Sequence, residues 1–156
     1  MMRSIHSALE ICMFKKILVP TDGSSIAGRA AQVAVDLAQR YGATLEIVSV
    51  IDPMPFLSFP DAGGSALAYY LDAAEQGAKE GLAFAESLAQ AAGVSYASHV
   101  LREAAAARTI IEHAQTSACD LIVMGSHGRR GLDAVLLGSV AQKVLTLAKI
   151  PVFVVK

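Results

Sequence analysis

The most chemically suggestive stretch of this 156-residue chain is Met124-Gly125-Ser126-His127-Gly128-Arg129-Arg130-Gly131, followed by LDAVLL and then Gly138-Ser139. Glycines at 125, 128 and 131 let backbone N–H groups converge without side chains in the way. Gly138-Ser139 opens a helix whose first N–H groups are unpaired and whose dipole end is positive. Together these features describe a phosphate cradle. The segment does not read GxxxxGK followed by Ser or Thr, so it brings no P-loop lysine for phosphoryl transfer, and it does not read GxGxxG, the dinucleotide fingerprint. On its residues alone it is an anion or nucleotide site.

A second candidate is Asp22-Gly23, which follows the first apolar run. It reads either as a turn with Asp22 capping a helix or as a ligand contact. His127 invites a general-base reading, but no carboxylate is visibly placed to orient it, so the expectation rests on its backbone rather than its ring. Arg129 and Arg130 suit both a clamp on a triphosphate and a solvated loop. The four histidines are scattered: His6, His99 and His113 have no partners at ligand spacing and read as surface or satisfied core residues rather than metal ligands. Cys12 and Cys119 give neither a metal spacing nor a disulfide framework, and Cys119, opening an apolar run, reads as packing. Tyr69 and Tyr70 either bound a ligand loop or serve the apolar face of a helix.

Regular elements must position these groups. KKILVP is a β-rich run ended by Pro20, after which Ala27, Ala30, Ala31, Ala34, Leu37, Ala38 and Tyr41 recur at helical spacing, with Ser24 or Ser25 as cap and Gly42 as stop. ATLEIVSVI is a second strand, too apolar for a one-sided sheet and typical of strands covered on both faces. Residues 52–65 place three prolines and two glycines among Met54, Phe56, Leu57 and Phe59, which describes a lid, a partner surface or a crossover with no task. A helix is expected over residues 66–92 with Gly93 as its stop, and Gly77 and Gly81, one turn apart, permit close backbone approach. VSYASHVL, CDLIVMG and IPVFVVK complete the strands. EAAAARTIIEHAQTS is a helix turning Ile110, Ile111 and Ala114 inward, and SVAQKVLTLA one with Val140, Val144, Leu147 and Ala148 on a common face.

Strand and helix alternate throughout, which predicts an α/β fold: a parallel sheet with helices on both faces and right-handed crossovers. Pro151 cannot donate to a ladder, so the last strand belongs at an edge, where VFVV invites pairing with a second copy of the chain. Ligands of such sheets bind beyond the carboxyl ends of the strands. That selects the loops at residues 21–25, from 51 onward and from 125 onward.

The length suits one domain, able to bury roughly two thirds of its unfolded surface. Residues 1–13 read as an extension outside the fold and residues 14–156 as the domain; MMRSIHSALEIC carries Arg3 as its one fixed positive charge and makes a poor secretory signal. The apolar fraction of 54% includes 28 alanines, which mark helix and close packing rather than a membrane span. No window approaches the run of about 18 apolar residues that a spanning helix needs. Thirteen Lys and Arg against 14 Asp and Glu leave a net charge of -1, with no field to gather nucleic acid or anionic lipid. A soluble protein of a reducing cytoplasm fits best.

The spacing Gly125-x2-Gly128-x9-Gly138-Ser139, together with ILVPTDGS near the start and a terminal PVFVV strand, resembles the universal stress protein family over essentially the whole chain, from about residue 14 to 156. The resemblance implies a five-stranded parallel sheet in the order 3-2-1-4-5, a Rossmann-like fold of the adenine nucleotide α-hydrolase-like kind. It also implies a homodimer through the last strand, residues 150–155, and ATP binding in the subgroup that keeps the glycine motif. Carried over residue by residue, Pro20, Thr21 and Asp22 would line an adenosine pocket, Val50 and Ile51 would supply apolar wall and backbone contacts, and Met124 would pack on the nucleoside. Gly125 and Gly128 would approach ribose and phosphates, with Ser126, His127 and Arg129 along the same loop. Gly138, Ser139 and Val140 would donate backbone N–H groups, and Ser139 its hydroxyl, to phosphate oxygens, while Mg2+ or Mn2+ would be held mainly by the phosphates. One departure is REAAAA at residues 102–107 in place of a turn containing Gly and Pro, expected to lie away from the site.

The resulting expectation is a cytoplasmic, homodimeric, ATP-binding regulatory protein of the stress response, with no catalytic residue assigned, no nucleic acid or membrane partner, and its protein partner open. Two alternatives stand beside it. One is a slow ATP-hydrolysing enzyme with Asp22 as its base; the other is a dimerising adaptor that leaves its cleft empty.

Overall fold

A computed structural model describes residues 13–53, 64–128 and 137–156. The elements run β1 (Lys16–Pro20), α1 (Ser25–Tyr41), β2 (Thr44–Ile51), α2 (Gly64–Ala92), β3 (Tyr96–Arg102), α3 (Ala106–Thr116), β4 (Leu121–Gly125), α4 (Ser139–Leu147) and β5 (Val152–Val155). All strand pairs are parallel and the sheet order is β3-β2-β1-β4-β5, as expected. The order reverses between β1 and β4, so the carboxyl ends of these two central strands flank the switch point where such sheets bind ligands.

Alternate residues of each central strand feed two cores. Ile17, Val19, Leu45, Ile47 and Val123 meet α1 and α2, whereas Leu18, Val48, Ile122 and Met124 meet α3 and α4. Burial on both faces is why these runs are continuously apolar rather than alternating. The outer strand β3 instead alternates between half-buried and exposed positions over most of its length. The alanines have a place too: Ala27, Ala30, Ala31, Ala34 and Ala38 of α1 are all buried, allowing the helix to lie close on the sheet. Ser24 caps α1, its hydroxyl accepting from the Ala27 N–H at 3.2 Å, and Gly42 ends the helix in the left-handed region at φ 64°. Among the described residues no helix is long and apolar enough to cross a membrane.

Two expectations need correction. The buried stripe of α4 is Ala141 and Val144, with Ala148 packed beside it. Val140 and Leu147 stand outside it at 36% and 58% exposure. Val144 and Ala148 fall on the inner face as expected, and Ala141 completes it at three-and-four spacing, its small side chain allowing the close approach. The helix expected to begin at residue 103 begins at Ala106, because Ala105 adopts a left-handed φ of 65° and breaks the helical path. That conformation costs a residue with a Cβ about 1 to 2 kcal/mol. The turn is also not remote from the strand ends: the Ala105 N–H donates to Asp52 Oδ2 at 3.1 Å, just beyond Ile51.

Residues 1–12, most of the 52–65 segment, and Arg129, Arg130 and Gly131 lie outside the described residues, as do the expectations attached to them.

Candidate functional site

At the carboxyl end of β1 the chain turns sharply and is held from three sides. The Thr21 N–H donates to the Val48 carbonyl at 2.8 Å, tying the turn to β2. Within the turn the Gly23 N–H donates to Thr21 Oγ1 at 3.2 Å and the Ser24 N–H to Asp22 Oδ1 at 2.9 Å. The third support is α2, which approaches so closely at Gly81 that a Cβ there would stand 2.7 Å from the Gly23 nitrogen and 2.9 Å from Thr21 Oγ1. Gly81 thus makes the expected close backbone approach.

Beyond β4 the glycine loop folds back onto this turn. A Cβ at Gly128 would lie 2.7 Å from Asp22 Oδ2, so the carboxylate and the loop backbone are in contact and no other residue fits without displacing one of them. The Gly138 N–H donates to the Ser126 carbonyl at 2.8 Å, bringing the start of α4 to the same place. Gly138 makes no side-chain cap. The N–H groups of Ser139, Val140 and Ala141 therefore have no intrahelical acceptor, and they sit at the positive end of the helix dipole. Asp22, Ser126, His127, Gly128, Gly138 and Ser139 are thus brought together from three segments.

Ser126 is 1% exposed, its N–H donating to the Val155 carbonyl at 2.7 Å. Its hydroxyl lies 2.8 Å from His127 Nδ1 and fixes the ring, so the orienting group that no nearby carboxylate supplied is a neighbouring serine. His127 Nε2 is buried and has no hydrogen-bond partner among the described residues. A buried polar atom left so costs about 1 to 3 kcal/mol, which makes this nitrogen a natural contact for a ligand atom.

The remaining candidates are less open. Pro20 and Ile51 are buried, Val50 is partly buried, and Met124 keeps 5% exposure within the core under α3 and α4. The Tyr70 hydroxyl donates to the Asp52 carbonyl at 3.2 Å, so Tyr70 bounds the end of β2, whereas Tyr69 is exposed. A groove of about 410 Å³ between α1 and α2 shares Thr21 and Gly23 with the site but is lined otherwise by residues such as Arg29, Gln32, Glu80 and Phe84. Its lining includes neither Gly128 nor Gly138.

A second polar cluster, absent from the sequence reading, lies on the α3 side of the sheet. Glu46 Oε1 is 2.7 Å from His99 Nε2 and 3.1 Å from His113 Nε2, and Glu46 Oε2 is 3.4 Å from Lys16 Nζ. The histidines are therefore not all scattered. Burial, the largest influence on Glu46, opposes its ionisation, but the His113 hydrogen bond, Lys16 and His99 together hold its carboxyl below the ordinary value. Burial, with Glu46 nearby, pushes the Cys119 thiol up to about 11, as suits a packing residue rather than a reactive one.

An open parallel sheet in the order 3-2-1-4-5, with a glycine loop and a helix start gathered at its switch point, is a Rossmann-like α/β fold. The chain belongs to the universal stress protein family, whose model matches residues 13–156. It is 39% identical over 144 residues to a universal stress protein of Methanocaldococcus jannaschii, covering 92% of this chain and 83% of that one. Among solved structures it is similar to the universal stress protein UspA from Lactobacillus plantarum, with a TM-score of 0.78 and 28% identity over 91% of this chain and 97% of that one. It is also similar to a universal stress protein from Archaeoglobus fulgidus solved in complex with dAMP, with a TM-score of 0.67, 26% identity, and coverage of 91% and 98%. A universal stress protein solved in complex with cAMP gives a TM-score of 0.63 and 27% identity over 90% of this chain and 95% of that one.

Proposed function

We propose that the protein is an adenine nucleotide-binding regulatory module that takes ATP at the cradle formed by the β1 turn, the glycine loop and the start of α4. The observation that carries this reading is the start of α4, where Gly138 makes no side-chain cap and lies against the backbone of the Gly128 loop, so that the first N–H groups of the helix are left for an anion. The dAMP and cAMP complexes of its structural neighbours support the adenine part of the assignment. Of the expected donors, the Ser139 and Val140 N–H groups would donate to phosphate oxygens, joined by Ala141, because the Gly138 N–H already donates to the Ser126 carbonyl; His127 Nε2 would meet a polar ligand atom, and the loops at Thr21, Val50 and Ile51 would bound the nucleoside. Mg2+ or Mn2+ would ride on the phosphates, with no chain ligand assigned to it.

Binding rather than turnover is the act we assign. Asp22, the residue best placed to serve as a base, already accepts the Ser24 N–H and lies against Gly128. The bound nucleotide would act through a cytoplasmic homodimer paired along β5. That pairing is supported by the edge position of β5, by Phe153 at 47% exposure, and by Val140, Leu145 and Leu147 exposed on α4.

At MgATP concentrations 100 times its dissociation constant, linkage gives about 2.7 kcal/mol of added stability and a melting shift of roughly 5 to 10 °C. No shift at millimolar MgATP removes the assignment. Sedimentation at micromolar protein tests the dimer: a wild-type dimer converted to monomer by Phe153→Asp supports it, and a wild-type monomer refutes it.

A further inference from the structure

We propose that Glu46, His99 and His113 form a binding site for a borderline divalent cation, with Zn2+ the best match. The three side chains come from β2, β3 and α3, and their ligand atoms all lie within 4.8 Å of one another. The β2–β3 register pairs Glu46 with Ala97 and Val48 with His99, so Glu46 and His99 occupy the same face, two residues apart along the ladder. Across that face His113 descends from α3, and its Nε2 and the Nε2 of His99 aim at the same carboxylate oxygen.

Two imidazoles and one carboxylate are a donor set Zn2+ favours, with a fourth position left to water or an added ligand. Zinc bonds of about 2.0 to 2.1 Å in a tetrahedral shell place neighbouring ligand atoms about 3.3 Å apart. The two Glu46 contacts, 2.7 and 3.1 Å, lie just inside that span, and a small outward movement of the imidazoles admits the ion. Each ring would bind through an unprotonated Nε2 and keep its proton on Nδ1.

The surroundings supply both support and a competitor. Lys16 Nζ takes the other carboxylate oxygen, leaving Oε1 to the histidines. Its positive charge opposes a cation, but its side chain is 35% exposed and can turn to water. Ser117 Oγ, 3.2 Å from His113 Nε2, is a further partner that the ion would displace from that nitrogen. His99, 43% exposed against 6% for Glu46, marks the route of entry. A bound ion would clamp the outer strand β3 to β2 and to α3, a role independent of nucleotide.

Titration of the full chain with Co2+ as a spectroscopic stand-in, followed by displacement with Zn2+, tests the site. The expected result is one equivalent of Co2+ with visible d–d bands that Zn2+ abolishes. In His99→Gln and in His113→Gln the dissociation constant should rise at least about tenfold, with the MgATP melting shift unchanged. Absence of a one-to-one visible complex in the wild type, or bands undiminished in the variants, overturns the proposal. Should His113→Gln lose its native circular dichroism, His99→Gln, at an exposed position on β3, decides the matter alone.

Discussion

The cradle beyond β1 and β4 and the Glu46 cluster under α3 are built from opposite materials. In the proposed cradle the donors are backbone N–H groups beside Gly128 and Gly138, which carry no side chain, while Asp22 and the Ser126 and His127 pair add side-chain chemistry. In the cluster every working group is a side chain: a buried carboxylate met by two imidazoles and an ammonium. A backbone site is sensitive to added volume and indifferent to most changes of charge. A side-chain site is the reverse, and each should fail without disturbing the other.

The largest effect is expected from Glu46→Ala. It removes the shared acceptor of His113, His99 and Lys16 from a buried position, and should cost about 2 to 3 kcal/mol in denaturant unfolding while the MgATP shift stays intact. The milder Glu46→Gln exposes the linkage. Because the folded carboxyl lies below its ordinary value of 4.5, the stability it contributes is fully present above that pH and is lost as pH falls through the lowered folded value. The wild-type advantage over Glu46→Gln should therefore shrink as the pH falls below 4.5; an advantage that does not shrink in acid would contradict the assigned charge.

Gly128→Val tests the other region. The added Cβ meets Asp22 Oδ2, so the full MgATP-linked gain of about 2.7 kcal/mol should disappear while melting without nucleotide changes little. Gly81→Ala acts one layer behind, pushing α2 from the Gly23 backbone, and should cost about 1 to 2 kcal/mol of stability and weaken nucleotide binding in proportion. Smallest is Ala105→Gly, which relieves the left-handed conformation and should raise stability by about 0.5 to 1 kcal/mol with both sites unchanged. A loss of stability there would show that the turn beside Asp52 is not strained.

The same contrast explains what could be read from the sequence. The cradle is also assembled from distant segments, Asp22 standing 106 residues before Gly128, but each segment carries a local signal: the glycines announce themselves by spacing, and the runs ILV and LEIVSVI declare strands covered on both faces, so the sheet and the loops at its carboxyl ends follow. Glu46 and His113 are 67 residues apart, and His99 joins them only through the register of β2 against β3, which no local pattern specifies. A glutamate inside an apolar strand was the available signal, since a buried carboxylate requires partners. On α4, Val144 and Ala148 are legible as the inner face, but Val140 and Leu147 mislead because they are more apolar than Ala141, the small residue the core takes instead. At Ala105, alanine's helix propensity hid a turn that the carboxylate of Asp52 helps to hold.

Mass spectrometry of the nucleotide released when freshly purified protein is denatured, run in parallel on wild type and Gly128→Val, tests nucleotide binding at the cradle most directly. An adenine nucleotide present in the wild type and absent from the variant is the predicted result. Equal nucleotide content in the two proteins would contradict a site at Gly128, and a wild type that carries none and gains no stability from millimolar MgATP would contradict the function itself.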